Sequence, residues 1–431
     1  MSKHSNKLSI TEVNFSDRHQ KINAYEVCAL IIAFVVVRCV LVIGLYLLTG
    51  GQELASDVVF HERIIKDPLG ILNGTAFEIA SYPPFQWLVE WSLFNLFNLY
   101  FGEMVSYRLL MVTVEFIAFI CAIVVCLKIT IKKMIALSIL ILFIISPHQY
   151  FSSIFFIQED VIAQLFMLIA MLFLLQKKRN LCILTLVLGV LIAKLFFIVP
   201  LFYVILFQGH RLFVQRVLDG FIALIPIAIV YIFTITQALS NGGEVPIRDF
   251  TPDAKYAANY WVLLIDSDPV LLKYYKNVSL VFTASVQFIL ISAFLFISWK
   301  RKQPMPPLLL LFMPLAFFFG TFYQHMPEYL LMLWPVAALL CNNVWQQLVL
   351  VAALSFSWTP RIFHGFNTVV DGFGTAAEAR SQVLGPLVDF LNLDFVFLNQ
   401  AALVSQSVVY TIVVFWLCLL GKKLLQRDNT D

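Results

Sequence analysis

The sequence predicts an all-α polytopic membrane protein of about twelve transmembrane helices with a helix-bearing first outer loop. Two observations predict the class. The first is composition: of 431 residues, 61% are hydrophobic and only 13% charged, with a mean hydropathy of +0.87. Soluble domains are about half apolar and about a quarter charged. A water-soluble fold cannot hide this much apolar surface, so the solvent is lipid. The second is spacing: the apolar residues come in runs close to the roughly 20 residues that cross a core about 30 Å thick. The net charge of +3 leaves no electrostatic footprint for nucleic acid, so the expected partner is the bilayer.

The chain opens on a polar stretch, 1–24, read as a cytoplasmic tail. The run that follows is too long for the apolar part of a cleaved signal peptide, about 7–15 residues. It is expected to stay as the first span. Clear spans are predicted at 26–49, 106–127, 217–237, 279–299, 306–323 and 404–420. Shorter runs at 134–147, 160–176, 328–343 and 345–358 need packing partners. Segment 85–101 mixes Trp87 and Trp91 with Gln86 and Glu90, as a helix lying in the membrane interface does. The run 181–207 carries Lys194 at its middle. As one helix it would bury a lysine at the bilayer centre, at a cost of at least about 2.5 kcal/mol. As a hairpin, 181–193 and 195–208, it places Lys194 at a membrane surface.

Charge decides for the hairpin, because basic residues favour cytoplasmic loops. With the hairpin and the interfacial helix, both termini are cytoplasmic. Lys128, Lys132 and Lys133, Lys177, Lys178 and Arg179, Arg211 and Arg216, and Lys300, Arg301 and Lys302 then share one side with both tails. That side holds 18 of the 29 Lys and Arg, and 19 of the 26 acids fall opposite. One span through 181–207 would throw the Lys300 cluster outside.

Three outer segments are long, 50–105, 238–278 and 359–403, while the cytoplasmic loops are short. The working surface therefore faces outward, away from ATP and soluble nucleotide-sugars. The seven cysteines sit in apolar runs without metal or redox spacing, as small core residues do. No metal or other cofactor is expected from these motifs, and a divalent metal stays an open question. Internal repeats of the kind that build many transporters are not visible.

Polar residues collect on the outer side. Asp57, His61, Glu62 and Arg63 open the first loop and Tyr82-Pro83-Pro84 closes it. Gln158-Glu159-Asp160 stands at the mouth of the span from 160, Lys194 at the hairpin turn, and His325 with Glu328-Tyr329 between two later spans. Each has a plainer reading. A loop acid such as Asp57 is ordinarily solvated. Glu159 and Asp160 favour the N-terminus of the helix they open. Lys194 can snorkel, and Tyr82 before a proline is simply extended. Arg38 and Glu115 lie inside spans and need partners or a site facing the bundle interior.

The order Ser56-Asp57, Tyr82-Pro83-Pro84, Tyr107-Arg108-Leu109-Leu110, then Gln158-Glu159-Asp160, Leu188-Gly189, Ala193-Lys194 and Pro200 resembles the GT-C superfamily. These are membrane glycosyltransferases that use polyprenyl-phosphate sugars. The nearest likeness is to bacterial polyprenyl-phosphate-mannose mannosyltransferases and to the catalytic subunit of GPI mannosyltransferase I. It covers residues 25–210, and beyond them His325-Met326-Pro327-Glu328-Tyr329 leading to Pro335.

The resemblance implies a catalytic module at 25–210 containing the outer loop 50–105. A variable module at 211–420 and a cytoplasmic tail at 421–431 follow. It implies inverting transfer of a hexose, best guessed as mannose, from a polyprenyl- or dolichyl-phosphate donor to a glycan, lipid or protein acceptor. The setting would be the periplasmic face of a bacterial inner membrane or the lumenal face of the endoplasmic reticulum. Asp57 would be the general base, with Asp160 or Glu159 as a second acid near the acceptor. Lys194, with Arg108, His325 and Arg63, would hold the departing phosphate, and Tyr82, Pro83 and Pro84 would shape the loop. The rival readings are a polymerase, ligase or flippase for lipid-linked glycans, and a non-catalytic assembly subunit.

Overall fold

The computed structural model describes residues 22–49, 58–73, 75, 83–129, 131–155, 157–208, 213–241, 269–301, 305–322, 327–358 and 395–427. Among the described residues every regular element is helical. Four helices among the described residues are long and apolar enough to cross a membrane, and a bent pair makes a fifth candidate. Six further apolar helices are 10–17 residues long over their described parts. The chain is a helical membrane protein. Its outer helices present apolar side chains to their surroundings: Leu47 is 74% exposed, Ile222 62% and Phe288 70%. Such surfaces suit a lipid surrounding.

Helix α1 (Ala24–Thr49) begins at a reciprocal cap. Asn23 Oδ1 accepts from the Glu26 amide and Glu26 Oε2 from the Asn23 amide, both at 2.9 Å, so two orphan donors are satisfied at once. Helix α2 (Val58–Lys66), the short α3 (Gly70–Asn73) and α4 (Trp87–Asn98) belong to the first loop. Helix α4 is the one expected to lie in the interface, and its far end leaves Leu99, Tyr100 and Phe101 exposed. Helix α5 (Glu103–Lys128) packs along α8 (Asp160–Leu175), which packs along α9 (Arg179–Ile192).

Helix α6 (Lys133–Ile145) meets α7 (Pro147–Tyr150), continued by a π-helical turn at Phe151–Phe155, with a 42° bend. Pro147 explains it: the ring disfavours helical geometry at Ser146, which is extended at ψ 124°. The bend frees carbonyls at the end of α6, and Arg38 of α1 takes two of them. Its guanidinium donates to Ile144 O at 2.6 Å and Phe143 O at 3.2 Å. The same group pairs with Glu115 of α5, Nη2 to Oε1 at 2.5 Å and Nε to Oε2 at 2.9 Å. The two charges inside spans are therefore each other's partners.

The hairpin is built as the lysine demanded. Helix α9 stops at Ile192, and the amides of Ala193 and Lys194 both donate to Gly189 O at 2.9 Å. Lys194 is extended, a short 3-10 turn follows, and α10 (Ile198–Phe207) runs back along α9. Gly189 makes this closeness possible: a Cβ there would lie 2.8 Å from the Phe197 ring.

Helices α11 (Phe213–Ser240), α12 (Pro269–Arg301), α13 (Pro307–Thr321), α14 (Trp334–Leu340), α15 (Val344–Phe356) and α16 (Phe395–Arg427) complete the bundle. A 3-10 segment, Pro327–Met332, precedes α14. At one end Lys133 pairs with Glu26 at 2.7 Å and Arg179 with Asp219 at 2.6 Å. At the other end Asn241 Nδ2 donates to Asn73 O at 2.7 Å, and the Phe85 amide to Leu191 O at 2.9 Å. The first loop is thus stitched to the hairpin turn.

Candidate functional site

The loop end of the bundle gathers polar side chains from six chain segments. Their focus is the turn 157–159 between the π-helical segment and α8. Ile157 has φ 51°, the left-handed region that a β-branched residue rarely enters. Such strain costs on the order of 1–3 kcal/mol and persists where the surroundings over-determine it. They do so here. The Gln158 amide donates to Ser152 O at 2.7 Å, Arg108 Nε to Ile154 O at 3.3 Å, and His61 Nε2 lies 2.6 Å from Ile157 O. A π-helical turn beside a strained residue is a frequent companion of function.

The turn aims two acids at one lysine. Lys194 Nζ donates to Glu159 Oε1 at 2.5 Å and lies 3.6 Å from Asp160 Oδ2. The same ammonium stands 5.3 Å from the centre of the Tyr329 ring, within cation–π range. Glu159 occupies the N-cap position of α8 yet makes no capping hydrogen bond, so its carboxylate serves the lysine. Burial works to raise the Glu159 carboxyl, but the Lys194 ammonium, and then the His61 ring, outweigh it and hold it below its ordinary 4.5. Burial works to lower the Lys194 ammonium, and Asp160 and Glu159, then Tyr329, carry it well above 10.5. Both groups are charged at neutral pH.

A second buried pair backs the first. His61 Nδ1 lies 3.0 Å from Glu90 Oε2, with both side chains 1% exposed or less. Gln86 Nε2 donates to the other Glu90 oxygen at 2.5 Å. Helix α2 thus docks on α4, and both face the strained turn.

The sequence-predicted residues divide three ways. Lys194, Glu159 and Asp160 come together. Arg108 is fully buried and holds the backbone three residues before Ile157. Arg63 sits on α2 with its side chain exposed. Pro83 and Pro84 are buried and start the turn into α4, where Gln86 N donates to Pro83 O at 3.1 Å. Asp57, Tyr82 and His325 lie outside the described residues.

Sequence reasoning placed Glu90 and Tyr329 on the outer side but gave neither a part in the site. A signal for Glu90 existed: an acid in an aromatic-rich helix is costly to bury without a partner. Among the described residues, no group of three or more His, Cys, Asp or Glu is arranged to hold a metal ion. Comparison of the chain with family models, with curated proteins and with solved structures finds no match in any of the three.

Proposed function

We propose that this chain is a polytopic glycosyltransferase of the GT-C type. It would cross the membrane about twelve times and transfer a hexose, mannose in the first instance, from a polyprenyl- or dolichyl-phosphate to an acceptor at the outer or lumenal face. The observation that carries the reading is the half-buried Lys194, held by Glu159 and opposed by Asp160 at the loop end of the bundle. A lysine offers three donors. One is used on Glu159, and Asp160 at 3.6 Å is beyond hydrogen-bond range, so N–H groups remain for a phosphate oxygen. The chemistry requires a fixed cation where the leaving phosphate gathers charge. Asp160 beside it suits an acid that orients an acceptor hydroxyl. Asp57, from the sequence, is proposed as the base.

The division of contacts between the two ends supports the twelve-crossing arrangement. Glu26–Lys133 and Arg179–Asp219 join segments proposed as cytoplasmic. Asn73–Asn241 and Phe85–Leu191 join segments proposed as outer. A flippase would need charges lining a central cavity, whereas Arg38 and Glu115 are committed to each other and to carbonyls.

The test is transfer of radiolabelled sugar from a panel of short-chain polyprenyl-phosphate sugars. Wild type is expected to turn over one donor, and Asp57→Asn to lose about a hundredfold or more, the usual contribution of a general base. Full turnover in Asp57→Asn sinks the assignment of the base. Absence of turnover with every donor and acceptor class sinks the transferase.

A further inference from the structure

His61 enters α2 within its first turn and is 1% exposed. Its two nitrogens face different elements. The carbonyl of Ile157 can only accept, so the Nε2 that lies 2.6 Å from it carries a hydrogen. Nδ1 faces the Glu90 carboxylate at 3.0 Å. Gln86 fixes the far oxygen of that carboxylate. Among the described residues the ring has the Glu90 carboxylate of α4 beside it and the Tyr107 ring of α5 at 6.4 Å, and its charge reaches Glu159 in the turn.

The carbonyl that His61 grips belongs to the strained residue, and the next two acids in the chain are Glu159 and Asp160. Arg108 and the Ser152 carbonyl hold the turn from within the bundle. His61 holds it from the first loop. We propose that His61, set by Glu90, is a positioning residue: it fixes the Ile157 turn and thereby aims Glu159 and Asp160 at Lys194. The docking of α2 and the assembly of the carboxylate–lysine cluster are then one event. The proposal deepens the transferase reading and rests on it for the kinetic arm of the test alone.

The experiment is hydrogen exchange on the intact protein in lipid nanodiscs, followed at 151–160, with transfer kinetics on the same samples. In His61→Phe, exchange at 151–160, where the Gln158 amide reports, is expected to quicken about tenfold or more while α8 stays protected. His61→Gln keeps a donor for the Ile157 carbonyl and is expected to restore most of the protection. In parallel, kcat falls about tenfold in His61→Phe with KM within about twofold, and His61→Gln recovers it. Unchanged exchange at 151–160 in His61→Phe, or His61→Gln behaving like His61→Phe, overturns the proposal. If His61→Phe loosens the whole bundle, Glu90→Gln decides. Loosening confined to 151–160 supports the clamp, and full protection there overturns it. A wild type that transfers no sugar defeats the transferase reading and leaves the exchange result to judge the clamp.

Discussion

Arg38 and Lys194 are both cations held inside the helical bundle, and they are held in opposite ways. Arg38 is 1% exposed and spends its guanidinium on Glu115 and on two carbonyls that the Pro147 bend sets free. Four of its five N–H groups are engaged, and its partners stand on two helices, α5 and α6. Lys194 is 15% exposed at a break in the chain, with two carboxylates for one ammonium and a strained turn presenting them. A charge nearly saturated by rigid partners is a fastening. A charge with donors to spare beside two acids is where a ligand can enter. The burial of a cation therefore does not distinguish structure from site; the inventory of its partners does.

Changes that treat the two cations alike should separate them. The largest effect is expected for Glu115→Gln. It leaves a buried guanidinium without its counter-charge, which costs about 3–5 kcal/mol. Unfolding in detergent should report it, and replacing Arg38 by Met in the same chain should recover most of the loss. An intermediate effect is expected for Gly189→Ala. The new Cβ meets Phe197, and overpacking of this kind costs about 1–3 kcal/mol. It disturbs the turn that carries Lys194 without touching any charge, so transfer should fall, and Phe197→Leu should restore it.

The smallest effect on stability is expected for Lys194→Met at neutral pH, because Lys194 is 15% exposed where Arg38 is 1%, and a carboxylate freed of its partner can take up a proton. Its signature lies in the pH profile. The depressed Glu159 carboxyl contributes stability that is present above 4.5 and lost as pH falls through its lower folded value. The raised Lys194 ammonium contributes stability that is present below 10.5 and lost as pH rises through its higher folded value. Lys194→Met should flatten both limbs of a melting-temperature profile, while Glu115→Gln lowers the profile throughout.

Much of the fold could be read from the chain. The break at Lys194 followed from the cost of a lysine in an apolar run, and the bend after α6 lies where Pro147 ends a predicted segment. The helix expected within 85–101 is there, at Trp87–Asn98. Of the candidate site, the sequence named Lys194, Glu159 and Asp160, which the structure brings together, but not their wiring. That Arg38 answers Glu115, 77 positions away, is set by how three helices pack, and no periodicity encodes it. The turn at Ile157 was hidden for another reason: left-handed backbone is signalled by Gly or Asn, and here an isoleucine carries it. Without that turn, Glu159 and Asp160 looked as much like helix caps as like a site; the structure adds their contact with Lys194.

The sequence order within the two ion pairs has a consequence for biosynthesis. A chain emerging from the ribosome presents Glu159 and Asp160 before Lys194 exists, so the ammonium meets waiting counter-charges as its hairpin enters the lipid. Arg38 arrives first and must wait 77 residues for Glu115. Helix α1 is therefore an incomplete product until α5 is made, and a chain stalled between the two would expose an unpaired cation to the machinery that removes failed membrane proteins.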